Sequence, residues 1–516
     1  MKHPTVFEPL LFAASIALAL VGVVIGLELL TRVGVTPNTS IIGAIVAMGL
    51  ARVPLARLAT FRSVARQNLL QTVISSATFG GANAVFLPLG VAWLVGGRDL
   101  LPPMLVGATL GMLVGAAVLY WLFDSPIFPA SASWPAGVAT AECLIAGDQG
   151  GERARLLLAG GMAGAAGQAI GIPMDIVGVC WIGNAVALTM FGVGLLVRGY
   201  ARVLWHVELD ALYIPHGIMV GAGLVALVQI ARAISGDTAQ VGASTGFRPA
   251  INGGLLLNIA AAFVMAAAAG LHAVMPFGAL SAFVVFAATA ALAAELIVGV
   301  SAMHAGWFPA FATALIFLVI GTIAGFPAAP LALLVGFTAS GGPAFADLGF
   351  DLKTGWIVRG SGSDPTAERD GRRQQLVAAV LGFLVAVAFV WAVRDYYFAR
   401  NQLPPADRVY AATIAAGTSR DVLRRLVVWA VPGALLQAIG GRSRQVGVLF
   451  ATGLLIYNPA AGWTALVALI IRASIQARCG AHVEGTMNVL AGGFLSGSAI
   501  MSFGTATLKS RPPSPA

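Results

Sequence analysis

The chain has 516 residues, of which 58% are hydrophobic and only 10% charged, with a formal net charge of +9. A soluble globular domain carries roughly 25% charged residues, so this composition excludes a water-covered body of this length. The basic residues gather in short loops, as at Arg52, Arg57, Arg62 and Arg66, rather than in a stripe interleaved with aromatics, which argues against nucleic acid as a partner and fits loop charges that set membrane orientation.

Apolar runs long enough to cross about 30 Å of hydrocarbon recur from end to end. In chain order they lie near 8–30, 40–58, 67–95, 102–123, 151–172, 174–199, 211–234, 250–272, 278–300, 306–325, 374–396, 421–440, 444–472 and 484–507. The first is too long for the core of a signal peptide and reads as a retained span. Shorter apolar stretches at 135–147, 328–346 and 405–417 predict half-helices or re-entrant segments. The fold class expected is therefore an all-α polytopic membrane protein of about 14–16 transmembrane helices. Gly makes up 63 of the 516 residues, which suits close helix packing in lipid. One long polar loop is expected at 347–373 and is placed in the cytoplasm with the loop at 51–66, which puts the N-terminus inside. Cys143, Cys180 and Cys479 form no CxxC pair and are expected as small apolar core residues.

An internal repeat organises the chain. LGMLVGAAVLYWLFD at 110–124 and LGFLVAVAFVWAVRD at 381–395 share 6 of 15 positions at an offset of 271. GAAGQAIG at 164–171 and GALLQAIG at 433–440 share 6 of 8 at an offset of 269. A steady offset over this distance predicts two pseudo-symmetric repeats, residues 1–240 and 245–508, followed by a short tail at 509–516. Paired repeats are the architecture of secondary transporters. Seven full spans in each half favour inverted repeats; counting the short segments as spans favours parallel ones.

Polar groups inside apolar runs mark candidate sites, because an ionisable side chain in lipid is costly. Glu295 lies inside the run Phe283 to Val300, and Glu142 in the short 135–147 segment. Both are expected proton-coupling carboxyls. Gln67 and Gln71 share one face of the third span, as do Asn68 and Thr72, and these four are expected to bind substrate. Their alternative role is interhelical polar glue. His206 and Glu208 are two apart, as are His482 and Glu484, a spacing that does not share a helix face, so no metal site is expected.

Asn68-Leu69-Leu70-Gln71-Thr72, the segment Pro135-Ala136-Gly137 to Glu142 with Ala146-Gly147, Asp351-Leu352-Lys353-Thr354-Gly355, Gly453 to Pro459 and Arg472 stand in this order along the chain. Together they resemble the oligopeptide transporter family, which includes the yellow-stripe-like metal-chelate transporters, in a prokaryotic-type form. Thr78 departs from the family pattern, which commonly has an acidic residue there.

The resemblance implies proton-coupled uptake of small peptides or metal chelates, by alternating access around a midplane cavity. It brings Tyr457 and Asn458 in as substrate-binding residues from the second half, and Lys353, Thr354 and Gly355 as a motif. The partners implied are the small-molecule substrate, protons and the lipid bilayer, with a homodimer as an open assembly state. No cofactor is expected, and the location implied is the inner or plasma membrane. The alternatives are a passive channel and a membrane-embedded enzyme. The enzyme reading is the weaker one, because the six His are scattered and neither a P-loop nor an HExxH signature occurs.

Overall fold

The computed structural model describes residues 3–33, 39–236, 247–307, 309–417, 420–441 and 444–509. The junction between the expected halves and the tail beyond Lys509 lie outside these residues. The described chain is helical nearly throughout. Among the described residues, nine stretches are long and apolar enough to cross a membrane; the longest of them, Val64–Leu122, folds back on itself at Gly97.

In the first half, α1 (Pro9–Val33), the shorter α2 (Thr39–Arg52) and α3 (Val64–Phe79) come first. α3 passes through a π-helical segment, Gly80–Phe86, directly into α4 (Leu87–Gly96). Gly97, at φ +62°, adopts a backbone conformation that costs glycine little, and the chain reverses into α5 (Leu101–Leu122). There follow α6 (Pro135–Gln149), α7 (Gly151–Ala169), α8 (Met174–Ile182), α9 (Ala185–Trp205) and α10 (Ile214–Gly236). α11 (Phe247–Ala268) and the single turn α12 (Leu271–Val274) lead to the second half. That half consists of α13 (Phe277–Ala305), α14 (Ala310–Ile323), α15 (Ala328–Val358), α16 (Pro365–Ala399), α17 (Pro405–Ala416), α18 (Arg420–Gly440), α19 (Val446–Leu455), α20 (Pro459–Cys479) and α21 (Glu484–Lys509).

Two expectations are corrected here. The polar loop at 347–373 is not a loop. Residues 347–358 continue the apolar stretch 328–346 as the single helix α15, and a turn at 359–364 leads straight into α16. From Pro330 to Gly355 every residue of α15 is buried. Its charges are tolerated because they bond to other helices, as detailed below. Of the cysteines, Cys143 and Cys180 are buried as expected, but Cys479 is exposed at the end of α20.

Contacts fix the relative directions of the central helices. Arg66, near the start of α3, donates to Glu8, just before α1, at 2.7 Å, and Gly22 and Gly26 pack on Thr78 further along. α1 and α3 therefore run the same way. α5 reverses against α4, and then runs alongside α15: Met104 packs on Gly336, Gly111 on Phe337 and Gly115 on Gly341. α3–α4 and α15 are thus opposed in direction.

Apolar burial, the main favourable term for a packed interior, gathers in two cores. One is built mainly from α1, α3–α5, α13, α15 and α16. The other is built mainly from α8–α10 and α19–α21, with additions from α2 and α6. Each core draws helices from both ends of the chain. Two hydrogen bonds cross equivalent helix pairs. Ser498 of α21 donates to Gln168 of α7 at 2.9 Å. Gln437 of α18 donates to Gln229 of α10, also at 2.9 Å.

Candidate functional site

The densest buried polar cluster lies where α2, α3 and α15 meet. On α3, residues Asn68, Gln71, Thr72 and Ser75 recur at intervals of three and four, so they share one side of the helix. On α15, Asp347, Asp351 and Thr354 do the same. All seven are buried.

The cluster is closed by short contacts between helices distant in sequence. Gln71 Nε2 donates to Asp351 Oδ1 at 2.5 Å, and Ser40 Oγ of α2 donates to the same oxygen at 2.9 Å. Asp347 Oδ1 accepts from Ser75 Oγ at 2.9 Å and from Thr39 Oγ1 at 3.4 Å. Ser75 Oγ lies 2.9 Å from Ser40 Oγ. Asn68 joins through Gln71, donating to its Oε1 at 3.2 Å.

A second set of bonds ties this seam to one end of the bundle. Gln375 of α16 donates to the Asp351 carbonyl at 2.6 Å and to Thr72 Oγ1 at 3.4 Å. Its own Oε1 accepts from Arg359 Nη1 at 2.7 Å. Arg359 then grips Glu368 with two N–H groups, at 2.8 and 3.1 Å, the planar fork that guanidinium offers a carboxylate. Arg372 adds a third donor to Glu368, 3.3 Å away.

The motif residues at 353–355 all have structural partners. Lys353 Nζ donates to the Ala130 carbonyl at 2.7 Å and sits 4.5 Å from the Trp356 ring centre. Thr354 Oγ1 donates to the Gly137 carbonyl of α6 at 3.1 Å. Gln375 Oε1 occupies the space where a side chain on Gly355 would stand. The motif thus clips α6, α15 and α16 together.

The other expected residues are dispersed. Gln67 turns to the Phe61 carbonyl at 2.9 Å, away from α15. Glu142 is paired with the Arg153 guanidinium. Glu295 is fully buried in α13. Its Oε1 is 3.5 Å from Asn258 Nδ2 of α11, and its Oε2 has no partner. Tyr457 is 71% exposed. Asn458 caps α20, accepting from the Ala461 N–H at 3.0 Å. Among the described residues no hydrogen bond joins Tyr457 or Asn458 to the α3 seam. Thr78, the departure from the family pattern, faces α1, and its Oγ1 donates to the Ile74 carbonyl at 2.6 Å. Gly22 and Gly26 crowd it, leaving no room for a longer acidic side chain.

Sequence reasoning missed Asp347 and Gln375, and gave Asp351 no role beyond its motif. The four-residue spacing of Asp347 and Asp351 was the available signal, but only for a reader who carried α15 through its charges. Asp407 was missed too. It is fully buried in α17, and neither carboxyl oxygen has a hydrogen-bond partner. Among the described residues no three His, Cys, Asp or Glu gather as metal ligands do.

A family model described as OPT oligopeptide transporter protein matches residues 10–236 and 253–509. A search of curated proteins gives no match.

Proposed function

As the chain belongs to the oligopeptide transporter family, and is on that ground a membrane transporter of oligopeptides or similar solutes, we propose that it takes up small peptides, or metal ions held by small organic chelators, driven by protons. The observation that carries this reading is the buried polar seam of α2, α3 and α15 inside otherwise apolar helices. A seam rich in amide and hydroxyl groups matches solutes that present amides and carboxylates. Asn68, Gln71 and Thr72 are its substrate-facing residues from α3, with Gln67 at its outer end. Tyr457 and Asn458 contribute from the second half when the bundle opens.

The transport cycle we propose is alternating access, in a plasma or inner membrane, by two inverted repeats. Three observations support the inversion. α1 to α10 and α13 to α21 follow one order of long and short helices. The counterparts α3–α4 and α15 run in opposite directions. The hydrogen bonds Gln168–Ser498 and Gln229–Gln437 exchange positions at the 269-residue offset. Since both apolar cores mix the two repeats, the bodies that move are the two cores rather than the two sequence halves.

Glu295 is the proton carrier in this scheme. It is alone in an apolar helix, and Oε2 is free to take a proton. Glu142 is the weaker candidate of the expected pair, because Arg153 already neutralises it. In proteoliposomes, Glu295→Gln is expected to lose accumulation driven by a proton gradient while retaining solute counterflow. Full gradient-driven uptake by this variant would remove Glu295 from the cycle.

A further inference from the structure

The two aspartates of α15 pose a charge problem that the transport reading does not use. Asp347 and Asp351 are buried one helical turn apart. Among the described residues no Lys, Arg or His bonds to either side chain. The closest cation in sequence, Lys353, is held by Ala130 and Trp356, and Arg359 is held by Glu368 and Gln375. A buried charge without a counter-charge is not sustained, so the pair carries either protons or a bound cation.

The hydrogen bonds distinguish the two. Each Oδ1 already accepts two donors, Gln71 and Ser40 on Asp351, and Ser75 and Thr39 on Asp347. Accepting two donors favours the ionised carboxylate. Each Oδ2 is buried with no partner. A proton placed there would become a buried donor with no acceptor, a cost instead of a remedy. A cation needs bare oxygens of this kind. Beside Asp347 lies one more, the Ser76 side chain, fully buried and with its Oγ unpartnered.

We infer that Asp347 and Asp351, with the hydroxyls of Ser75 and Ser76, form a binding site for a hard monovalent cation, sodium. The donor set is all oxygen, which suits hard cations and not the softer transition metals. A divalent ion gives up its water reluctantly and takes six or more oxygens; the seam offers fewer bare ones. The second negative charge is spread over the four hydrogen bonds at the Oδ1 atoms. Bound sodium would fasten α15 to α3, and through Ser40 to α2.

Binding is testable on purified full-length protein in detergent, without substrate or gradient, so its failure leaves the transport reading standing. Thermal melts in sodium chloride are compared with potassium chloride and choline chloride at equal ionic strength, and 22Na binding gives the stoichiometry. The expected result is a saturable rise in Tm of several degrees in sodium alone, with one sodium bound per chain. Asp347→Asn and Asp351→Asn are expected to abolish both signals. If either fails to fold, Ser76→Ala is expected to weaken 22Na binding severalfold in a folded protein. Equal shifts in all three salts, stabilisation by acidification with no sodium dependence, or 22Na binding undiminished in these variants would each overturn the site.

Discussion

Arg359→Ala is expected to destabilise the protein by about 3–5 kcal/mol, the usual consequence of leaving one member of a buried ion pair alone. Both partners are well covered, at 6% exposure for the Arg359 side chain and 9% for that of Glu368. Removing the guanidinium strips two donors from Glu368 and one from Gln375 Oε1. Arg372 remains on Glu368 at 3.3 Å, which sets the loss below that of a wholly orphaned charge. Lys at 359 is expected to restore only part of the stability, because an ammonium cannot reproduce the fork that spans Glu368 and Gln375. The double variant Arg359→Met/Glu368→Met is expected to recover most of it, since apolar replacement of a whole buried pair is often neutral. Denaturant unfolding in mixed micelles measures all three. A loss under about 1 kcal/mol for the single alanine variant, the range of exposed pairs, would show that the clamp is solvated and does not anchor Gln375.

The clamp also shows where reading the sequence stopped working. Long uninterrupted apolar runs are legible by length alone, as with the run expected at 102–123 and the observed Leu101–Leu122. α15 is not legible in that way. Its last turns carry Asp347, Asp351 and Lys353, and a local window sees charge and ends the helix. The groups that satisfy those charges are Ser75, Gln71, Ser40 and the Ala130 carbonyl, some 220 to 310 residues away in the chain. No window that short contains them.

The site was half visible for the same reason. The polar face of α3 is written in one short segment, so Asn68, Gln71 and Thr72 could be picked out. The facing acids on α15 could not, because they had been given to a loop. Glu142 illustrates the converse error. It looked isolated within its short helix, but the chain turns at Gly150 and Gly151, both at positive φ, and brings Arg153 back onto it. Asn458 was chosen as a lining residue by resemblance, although an Asn followed by Pro459 carries the ordinary signature of a helix start, and that is how it is used. Glu295 was found because one carboxyl in an apolar run needs no partner to be conspicuous.

A repeat in sequence predicts two bodies, yet helices from both halves interlock in each core, and this makes the glycine crossings decisive for stability. α10 and α18 cross so closely at Gly221 that a Cβ there would overlap the Ala430 carbonyl. Two residues on, a Cβ at Gly223 would meet only Ile316 Cδ1, at 3.5 Å, an ordinary contact. Gly221→Ala is therefore expected to cost about 3 kcal/mol or more, the upper range for overpacking, because a backbone carbonyl cannot rotate out of the way as a side chain can. Gly223→Ala is expected to be neutral or to stabilise by up to about 1 kcal/mol, from the better helix propensity of alanine. The equivalent crossing of α7 and α21 places Gly497 against the Gly161 carbonyl, and Gly497→Ala is expected to behave as Gly221→Ala does. Thermal melts of the three variants in one detergent separate the effects: a common methyl group, one helix shared by two of the substitutions, and a loss only where the opposing atom belongs to the backbone. Equal stability of the Gly221 and Gly223 variants would mean that α10 and α18 are further apart than this packing requires, and that the two repeats are not locked together at that crossing.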